Sequence, residues 1–94
     1  VLESGEIVFP NAFTPNGDGN NDIYLPVGKP VKQIQWKIYN RWGEKVFDSN
    51  SQYIGWNGVY KGADQPMDVY IYYAEVVYMN NQTRKFKGSL TLLR

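Results

Sequence analysis

The sequence contains neither cysteine nor histidine among its 94 residues. Because cysteine is absent, the chain has no disulfide framework and no thiolate zinc site. Because histidine is absent, it lacks the commonest general base and the commonest metal ligand of proteins. Its nine acidic residues are scattered along the chain. We therefore expect a protein that is not an enzyme.

An excess of charge of either sign is also missing. Ten Lys and Arg residues balance nine Asp and Glu residues, which leaves a net charge of +1. So small a charge gives no strong field to attract nucleic acid or an anionic membrane surface. No hydrophobic run approaches the roughly 20 residues that a membrane-spanning helix needs. We expect neither nucleic acid as a partner nor direct membrane insertion.

Aromatic residues are plentiful: three Trp, eight Tyr and four Phe occur in a chain that is 43% hydrophobic. A disordered chain has fewer aromatic residues and more net charge. The length suits one domain, so we expect a single domain over residues 1–94 with residues 1–5 as a linker. The chain begins at Val1 and shows no signal-peptide pattern, which suggests a domain cut from a longer protein or a processed product.

Alternation of apolar and polar residues is clearest over residues 31–39, where Ile34, Trp36 and Ile38 share one face. A turn at 40–43 and a run at 44–48 complete a predicted hairpin, in which Gly43 takes a positive φ. Other β-prone runs, separated by turn residues, lie at 6–9, 23–25, 56–60, 69–79 and 85–93.

This pattern predicts an all-β fold. Asn80-Asn81 is the expected two-residue turn between the last two strands. Short strands at such close spacing are typical of a two-sheet sandwich. We expect an immunoglobulin-like antiparallel β-sandwich of about seven strands, with a partly open barrel as the alternative.

A glycine-rich loop at residues 16–22 carries oxygen-bearing side chains at alternate positions. They belong to Asn16, Asp18, Asn20 and Asp22. Calcium takes about six to eight oxygen ligands, and the spacing resembles the first half of an EF-hand loop. The match then fails, because the acidic twelfth position falls on Val27. Two interpretations stay open: a calcium site, or a loop of Asx turns.

The aromatic side chains have two possible uses. Trp36 is expected in the core, because a small sandwich needs large side chains to fill its interior. Trp42 lies in a turn beside Arg41, where packing over the sheet edge and contact with a ligand are both open. Exposed aromatic residues on a sheet would suit a partner surface. An immunoglobulin-like carbohydrate- or protein-binding module of a surface adhesin is therefore an alternative function.

Four ordered motifs carry a resemblance to a known family. They are FPNAFTPNGDGNND at 9–22, IYNRWGEKVF at 38–47, GWNGVYKG at 55–62 followed by Pro66 and Val69-Tyr70, and FKGSLTLLR at 86–94. Together they resemble the type B C-terminal sorting domain of the type IX secretion system. This family is also called the gliding-motility-associated C-terminal domain and belongs to Bacteroidetes. The resemblance covers residues 7–94, almost the whole chain.

The resemblance implies a non-catalytic C-terminal signal domain. Such a domain directs a larger cargo protein through the type IX secretion system to the cell surface or the medium, and is recognised as a folded β-sandwich. The implied partners are the type IX machinery, its cell-surface signal protease and N-terminal cargo domains in the same precursor. The implied location is the periplasm in transit, then the cell surface or the medium.

A folded signal must present a fixed surface to its receptor, and two parts of the chain are candidates. One is the last strand, whose edge is expected to pair with a receptor strand. The other is the turn at 41–43 together with the loop at 16–22, provided that both lie at one end of the sandwich. The candidate recognition residues are Arg41, Trp42, Gly43, Lys87, Gly88, Leu90, Thr91, Leu92, Leu93 and Arg94.

Overall fold

The computed structural model describes residues 7–15 and 22–93. These residues contain no helix, and so no helix long and apolar enough to cross a membrane. The expected all-β class is confirmed. The strands are β1 (Ala12–Phe13), β2 (Gln33–Tyr39), β3 (Lys45–Ser49), β4 (Val59–Tyr60), β5 (Ala63–Asp64), β6 (Asp68–Val77) and β7 (Thr83–Leu92).

Five of these strands form the main sheet, in the order β1-β7-β6-β2-β3. All neighbours are antiparallel except β1, which pairs parallel with the end of β7. Strands β6 and β7 pair over their whole length, with Asp68 opposite Leu92 at one end. Tyr39, the last residue of β2, lies opposite Ile71. The turn after β2 therefore lies at the same end of the sheet as the start of β6 and the end of β7.

The apolar residues that alternate along β2 are buried in the core. Ile34, Trp36 and Ile38 are at most 4% exposed, whereas the residues between them are more accessible. Phe9 and Tyr24 approach from the other side, with ring centroids 6.1 and 6.0 Å from that of Trp36. The core therefore lies between the main sheet and a second layer of chain.

The second layer is held together by isolated bridges. Val8 pairs with Val27, and Tyr24 pairs with Trp56. Each pair exchanges two backbone hydrogen bonds of 2.8–3.0 Å. Strands β4 and β5 form a separate two-stranded sheet. The second layer contributes four buried side chains to the core, those of Ile7, Phe9, Tyr24 and Trp56. This two-layer arrangement confirms the expected sandwich.

Two hairpins of the main sheet close with loops of the same kind. In the β2–β3 loop the Gly43 N–H donates to the Asn40 carbonyl at 3.0 Å, and Gly43 has a φ of 81°. In the β6–β7 loop the Asn81 N–H donates to the Tyr78 carbonyl at 2.8 Å, and Asn81 has a φ of 69°. Each is a three-residue loop that ends in a left-handed residue. The positive φ expected at Gly43 is confirmed. The two-residue turn expected at Asn80-Asn81 is wrong, because the loop has three residues and also includes Met79.

Two predicted strands are shorter than expected. The runs at 6–9 and 23–25 are reduced to single bridge residues, Val8 and Tyr24, although residue 6 itself lies outside the described residues. Each run is followed at once by a proline, which has no N–H to continue a ladder.

Two observed strands were not expected. Strand β1 falls between the predicted runs at 6–9 and 23–25, and β5 falls between those at 56–60 and 69–79. Burial explains β1, because its parallel pairing with the end of β7 places Phe13 in the core at 2% exposure.

Candidate recognition site at one end of the sandwich

The turn after β2 is held in one conformation by the side chain of Asn40. Its Oδ1 accepts hydrogen bonds from the backbone N–H groups of Trp42 and Glu44, both at 2.9 Å. Its Nδ2 donates to Oε1 of Glu44 at 3.1 Å. Gly43 supplies the left-handed backbone that the loop requires. The turn thus fixes the direction in which Arg41 and Trp42 leave the backbone.

Trp42 is the most exposed large hydrophobic residue described, with 81% of its surface accessible. The guanidinium carbon of Arg41 lies 5.3 Å from the centre of a Trp42 ring. This distance suits a cation–π contact. The turn therefore presents a large aromatic side chain that is supported on one side and accessible to a partner.

An ion pair joins this turn to the start of β6, which pairs with the end of β7. Nη1 of Arg41 lies 3.2 Å from Oδ2 of Asp68, and Asp68 lies opposite Leu92 in the sheet. The next residue, Leu93, is 44% exposed. We refer to Arg41, Trp42, Asp68 and Leu93 together as the Trp42 end of the sandwich. Residues that are distant in sequence come together there only when the sheet has formed.

Comparison with known proteins identifies the family. The model of the CHU_C family, described as the type IX secretion signal domain, matches residues 7–92. The chain belongs to this family. The resemblance seen in the four sequence motifs is therefore confirmed. A search of the curated proteins finds no match.

Membership defines the role of this type IX signal domain in outline. It is a C-terminal sorting signal that works with the type IX secretion system and is attached to cargo. The cargo is exported toward the cell surface or the extracellular space. The family is one of secretion signals and not a known catalytic family.

Within the signal domain, the candidate residues of β7 divide between the core and the surface. Leu90 and Leu92 are 0% exposed, so their side chains hold the core and are not accessible in the folded domain. Lys87 is exposed, and its Nζ lies 5.5 Å from the centre of the Tyr73 ring. Gly88 lies beneath Tyr72, because a Cβ at this position would come within 2.6 Å of the Tyr72 hydroxyl oxygen.

The edge of β7 is already covered near its end. The N–H groups of Thr91 and Leu93 donate to the carbonyls of Asn11 and Phe13 at 2.9 Å, along β1. Among the described residues, the part of β7 at 84–89 has no strand on that side. A receptor strand would therefore have to pair farther from the end of β7 than the sequence suggested.

Most of the remaining candidate site residues lie outside the part of the chain that the structure describes. Asn16, Asp18, Asn20 and Arg94 lie outside the described residues, and Asp22 is half-buried. Within residues 7–15 and 22–93, no group of three or more acidic side chains is placed to hold a metal ion. Calcium binding by the 16–22 loop stays a prediction.

Sequence reasoning missed Asp68, which links the turn to the start of β6. Asp68 is separated from Arg41 by 27 residues, and no local pattern connects the two. Its position at the start of the strongest β-prone run was the one available signal, since that places it at the end of the sheet where the β2–β3 turn lies.

Proposed function

We propose that the type IX machinery recognises this domain as a folded unit and contacts it at the Trp42 end. The observation that carries the proposal is the ion pair between Arg41 and Asp68, which joins the 41–43 turn to the start of β6, opposite the end of β7. A receptor that contacts both the turn and Leu93 reads a surface that exists only in the folded chain.

The chemistry of the Trp42 end favours binding of a protein. Trp and Arg are enriched among the residues that dominate binding energy at protein interfaces. A side chain already held in its bound orientation loses less conformational entropy on binding. Asn40 and Gly43 hold the turn, and Arg41 supports the Trp42 ring.

The open edge of β7 is a second candidate contact. An extended receptor segment can add to an exposed sheet edge through backbone hydrogen bonds. Lys85 and Lys87 lie on this open part of the strand and are exposed. Lysines along an edge also discourage aggregation between copies of one chain, so the edge would accept only a partner with complementary charge.

The proposed order of events follows the role of a sorting signal. The cargo with its folded signal domain waits in the periplasm, where the machinery binds the domain. Export to the cell surface follows, and a cell-surface signal protease then removes the domain from the N-terminal cargo.

The test is export of a reporter protein fused in front of residues 1–94 in a host with a type IX system. Trp42→Ala should weaken receptor binding by about 2 kcal/mol, or roughly 30-fold, if Trp42 is an interface hot spot. The fusion should then accumulate in the periplasm. Tyr53→Ala is the matched control, because Tyr53 is also a highly exposed aromatic residue, at 68%.

Recognition of the domain in its folded state by the secretion machinery is tested separately. Trp36 is fully buried, and Trp36→Ala should destabilise the domain by about 3–5 kcal/mol. If the Trp36→Ala fusion is unfolded by circular dichroism and yet is exported normally, the domain is not read as a folded unit. If Trp42→Ala melts like the unmodified domain and is exported equally well, the Trp42 end is not the contact.

A further inference from the structure

The outer face of the main sheet, which points away from the second layer, carries a row of basic and aromatic side chains. Lys37, Tyr73 and Lys87 lie side by side on β2, β6 and β7. Tyr73 is 43% exposed, and Nζ of Lys87 lies 5.5 Å from its ring centre. Tyr39 packs edge-on against the same ring, with ring centroids 5.5 Å apart. An accessible phenol ring thus has a lysine on each neighbouring strand.

The lysines of this row are not neutralised. Two other lysines on the outer face have acidic partners: Nζ of Lys45 lies 2.7 Å from Asp48, and Nζ of Lys85 lies 3.8 Å from Glu75. Among the described residues, no carboxylate forms an ion pair with Lys37 or Lys87. Asp48 lies opposite Lys37 on β3 but forms its ion pair with Lys45. The row therefore carries two lysines outside the ion pairs of this face, about two strand spacings apart, roughly 10 Å. Such a face complements an anionic ligand.

The shape of the face suits a chain rather than a compact molecule. A depression of about 490 Å³ near β3 and one of about 280 Å³ near β7 share Gln35 and Lys37 in their walls. The ion pair of Lys45 with Asp48 lines the first depression, and that of Lys85 with Glu75 lines the second. The two depressions adjoin at the shared residues Gln35 and Lys37 and span the strands from β3 to β7. We call the pair the cross-strand groove.

The groups lining the groove favour a sugar chain over a peptide. An extended peptide binds a sheet at its edge, through free backbone groups. In the middle of the sheet those groups are already paired within the ladders. What the groove offers are side-chain amides of Gln35 and Asn50, the phenol of Tyr73 and the ammonium of Lys37. These groups match hydroxyls, carboxylates and the apolar face of a sugar ring.

We propose that the cross-strand groove binds an acidic polysaccharide built from uronic acid units. Carboxylates of the polysaccharide pair with Lys37, which lines both depressions, and with Lys87, which lies beside the groove next to Tyr73. A sugar ring packs against the exposed part of Tyr73. The Gln35 and Asn50 amides hydrogen-bond to ring hydroxyls. This activity goes beyond the sorting role and does not depend on the contact proposed at the Trp42 end.

The experiment is a titration of the ¹⁵N-labelled 94-residue chain with hexagalacturonate, followed by NMR. Amide shifts are expected to concentrate at Gln35, Lys37, Tyr73 and Lys87, and binding should weaken as salt is added. The Lys37→Glu/Lys87→Glu variant should bind about tenfold more weakly or worse, since each exposed ion pair contributes up to about 1 kcal/mol. Cellohexaose, the neutral ligand control, should bind more weakly than hexagalacturonate.

The matched variant control is Lys29→Glu/Lys61→Glu, which changes net charge equally at two exposed lysines that lie outside the strands of the main sheet. An equal loss of binding in this control would show non-specific attraction and overturn the proposal. Absence of shifts along the groove, or equal binding of cellohexaose, would also overturn it. Tighter binding of hexaglutamate would instead assign the face to an acidic protein. A normal melting curve of Lys37→Glu/Lys87→Glu would show that the loss of binding does not come from unfolding. Lys37→Glu alone, which leaves the β7 edge unchanged, should weaken binding of hexagalacturonate while export of the fusion stays normal.

Discussion

Asn40 shows how one polar side chain prepares a candidate contact. Its Oδ1 accepts two backbone N–H groups inside the turn that carries Arg41 and Trp42. Both hydrogen bonds are exposed, so each contributes little to the free energy of unfolding. Their main effect is to restrict the backbone conformation of the turn. This small network holds the turn, and the contact proposed at Trp42 depends on it.

The first prediction concerns this network. Asn40→Ala removes both acceptor bonds and should lower the free energy of unfolding by about 1 kcal/mol, which is a fall in Tm of roughly 4–8 °C. Asn40→Asp keeps the acceptor oxygen and should lose less. Thermal unfolding followed by circular dichroism measures both variants. Equal losses in the two would show that the Oδ1 bonds do not hold the turn.

Three leucines of the last motif look alike in sequence but differ in exposure. Leu90, Leu92 and Leu93 stand close together in the last motif, yet the first two are completely buried and the third is 44% exposed. Alternation along a strand produces this difference, because successive side chains point to opposite faces. A substitution at Leu90 or Leu92 tests the core, whereas one at Leu93 tests the surface.

At the scale of elements, the long strands of the main sheet were predictable and the second layer was not. Strands β2, β3, β6 and β7 lie close to the runs expected from alternation and β-propensity. The second layer is reduced to bridges at Val8–Val27 and Tyr24–Trp56. Single bridges leave almost no periodic signal, since a period of two needs several residues to be recognised.

The second prediction concerns the close approach of these segments at Gly55. A Cβ on Gly55 would collide with the carbonyl oxygen of Tyr24 and lie 2.6 Å from Cγ2 of Ile23. The Tyr24 carbonyl cannot easily move, because it accepts the Trp56 N–H at 3.0 Å. Gly55→Ala should therefore cost about 1–3 kcal/mol of stability.

Urea unfolding measures the loss at Gly55, and hydrogen exchange of the Trp56 amide reports the bridge itself. Exchange at Trp56 should become faster in Gly55→Ala. Ile54→Ala is the control, since Ile54 is 62% exposed and its truncation should change stability by about 0.5 kcal/mol or less. Unchanged stability and unchanged hydrogen exchange in Gly55→Ala would contradict the tight packing of Gly55 against Tyr24.

At the scale of the whole molecule, an aromatic cluster joins the two layers. Tyr24 from the second layer lies 6.0 Å from Trp36, 5.6 Å from Phe13 and 6.5 Å from Tyr72, between ring centroids. Its hydroxyl donates a hydrogen bond to the Pro10 carbonyl at 2.6 Å. Tyr24 is 1% exposed. Burial, and to a smaller extent the neighbouring Tyr72, raise the pKa of Tyr24 far above its ordinary value near 10.

The third prediction is a loss of stability at alkaline pH. Above pH 10 the unfolded chain releases the Tyr24 proton while the folded chain retains it, so the free energy of unfolding falls as pH rises. The slope from one such group reaches about 1.4 kcal/mol per pH unit. Burial also raises the pKa of Tyr72, so Tyr72 contributes in the same direction. Below the ordinary tyrosine pKa this contribution to stability is fully present.

The Tyr24→Phe variant isolates the contribution of Tyr24 to the loss of stability at alkaline pH. It removes the hydrogen bond to Pro10 and should cost about 1 kcal/mol near neutral pH. The variant should then lose stability less steeply between pH 10 and higher pH, because it has one fewer group to ionise. Chemical unfolding at a series of pH values provides the comparison. An alkaline slope equal to that of the unmodified domain would contradict the role of Tyr24.

The sequence by itself determined the all-β class, the inward faces of the long strands and the family. These features are local, because alternation and motif spacing depend on residues close together in the chain. The parallel pairing of β1 with β7, the second-layer bridges, the Arg41–Asp68 ion pair and the cross-strand groove were decided only by tertiary structure. Each depends on which distant segments become neighbours, and burial of the shared aromatic core selects those neighbours.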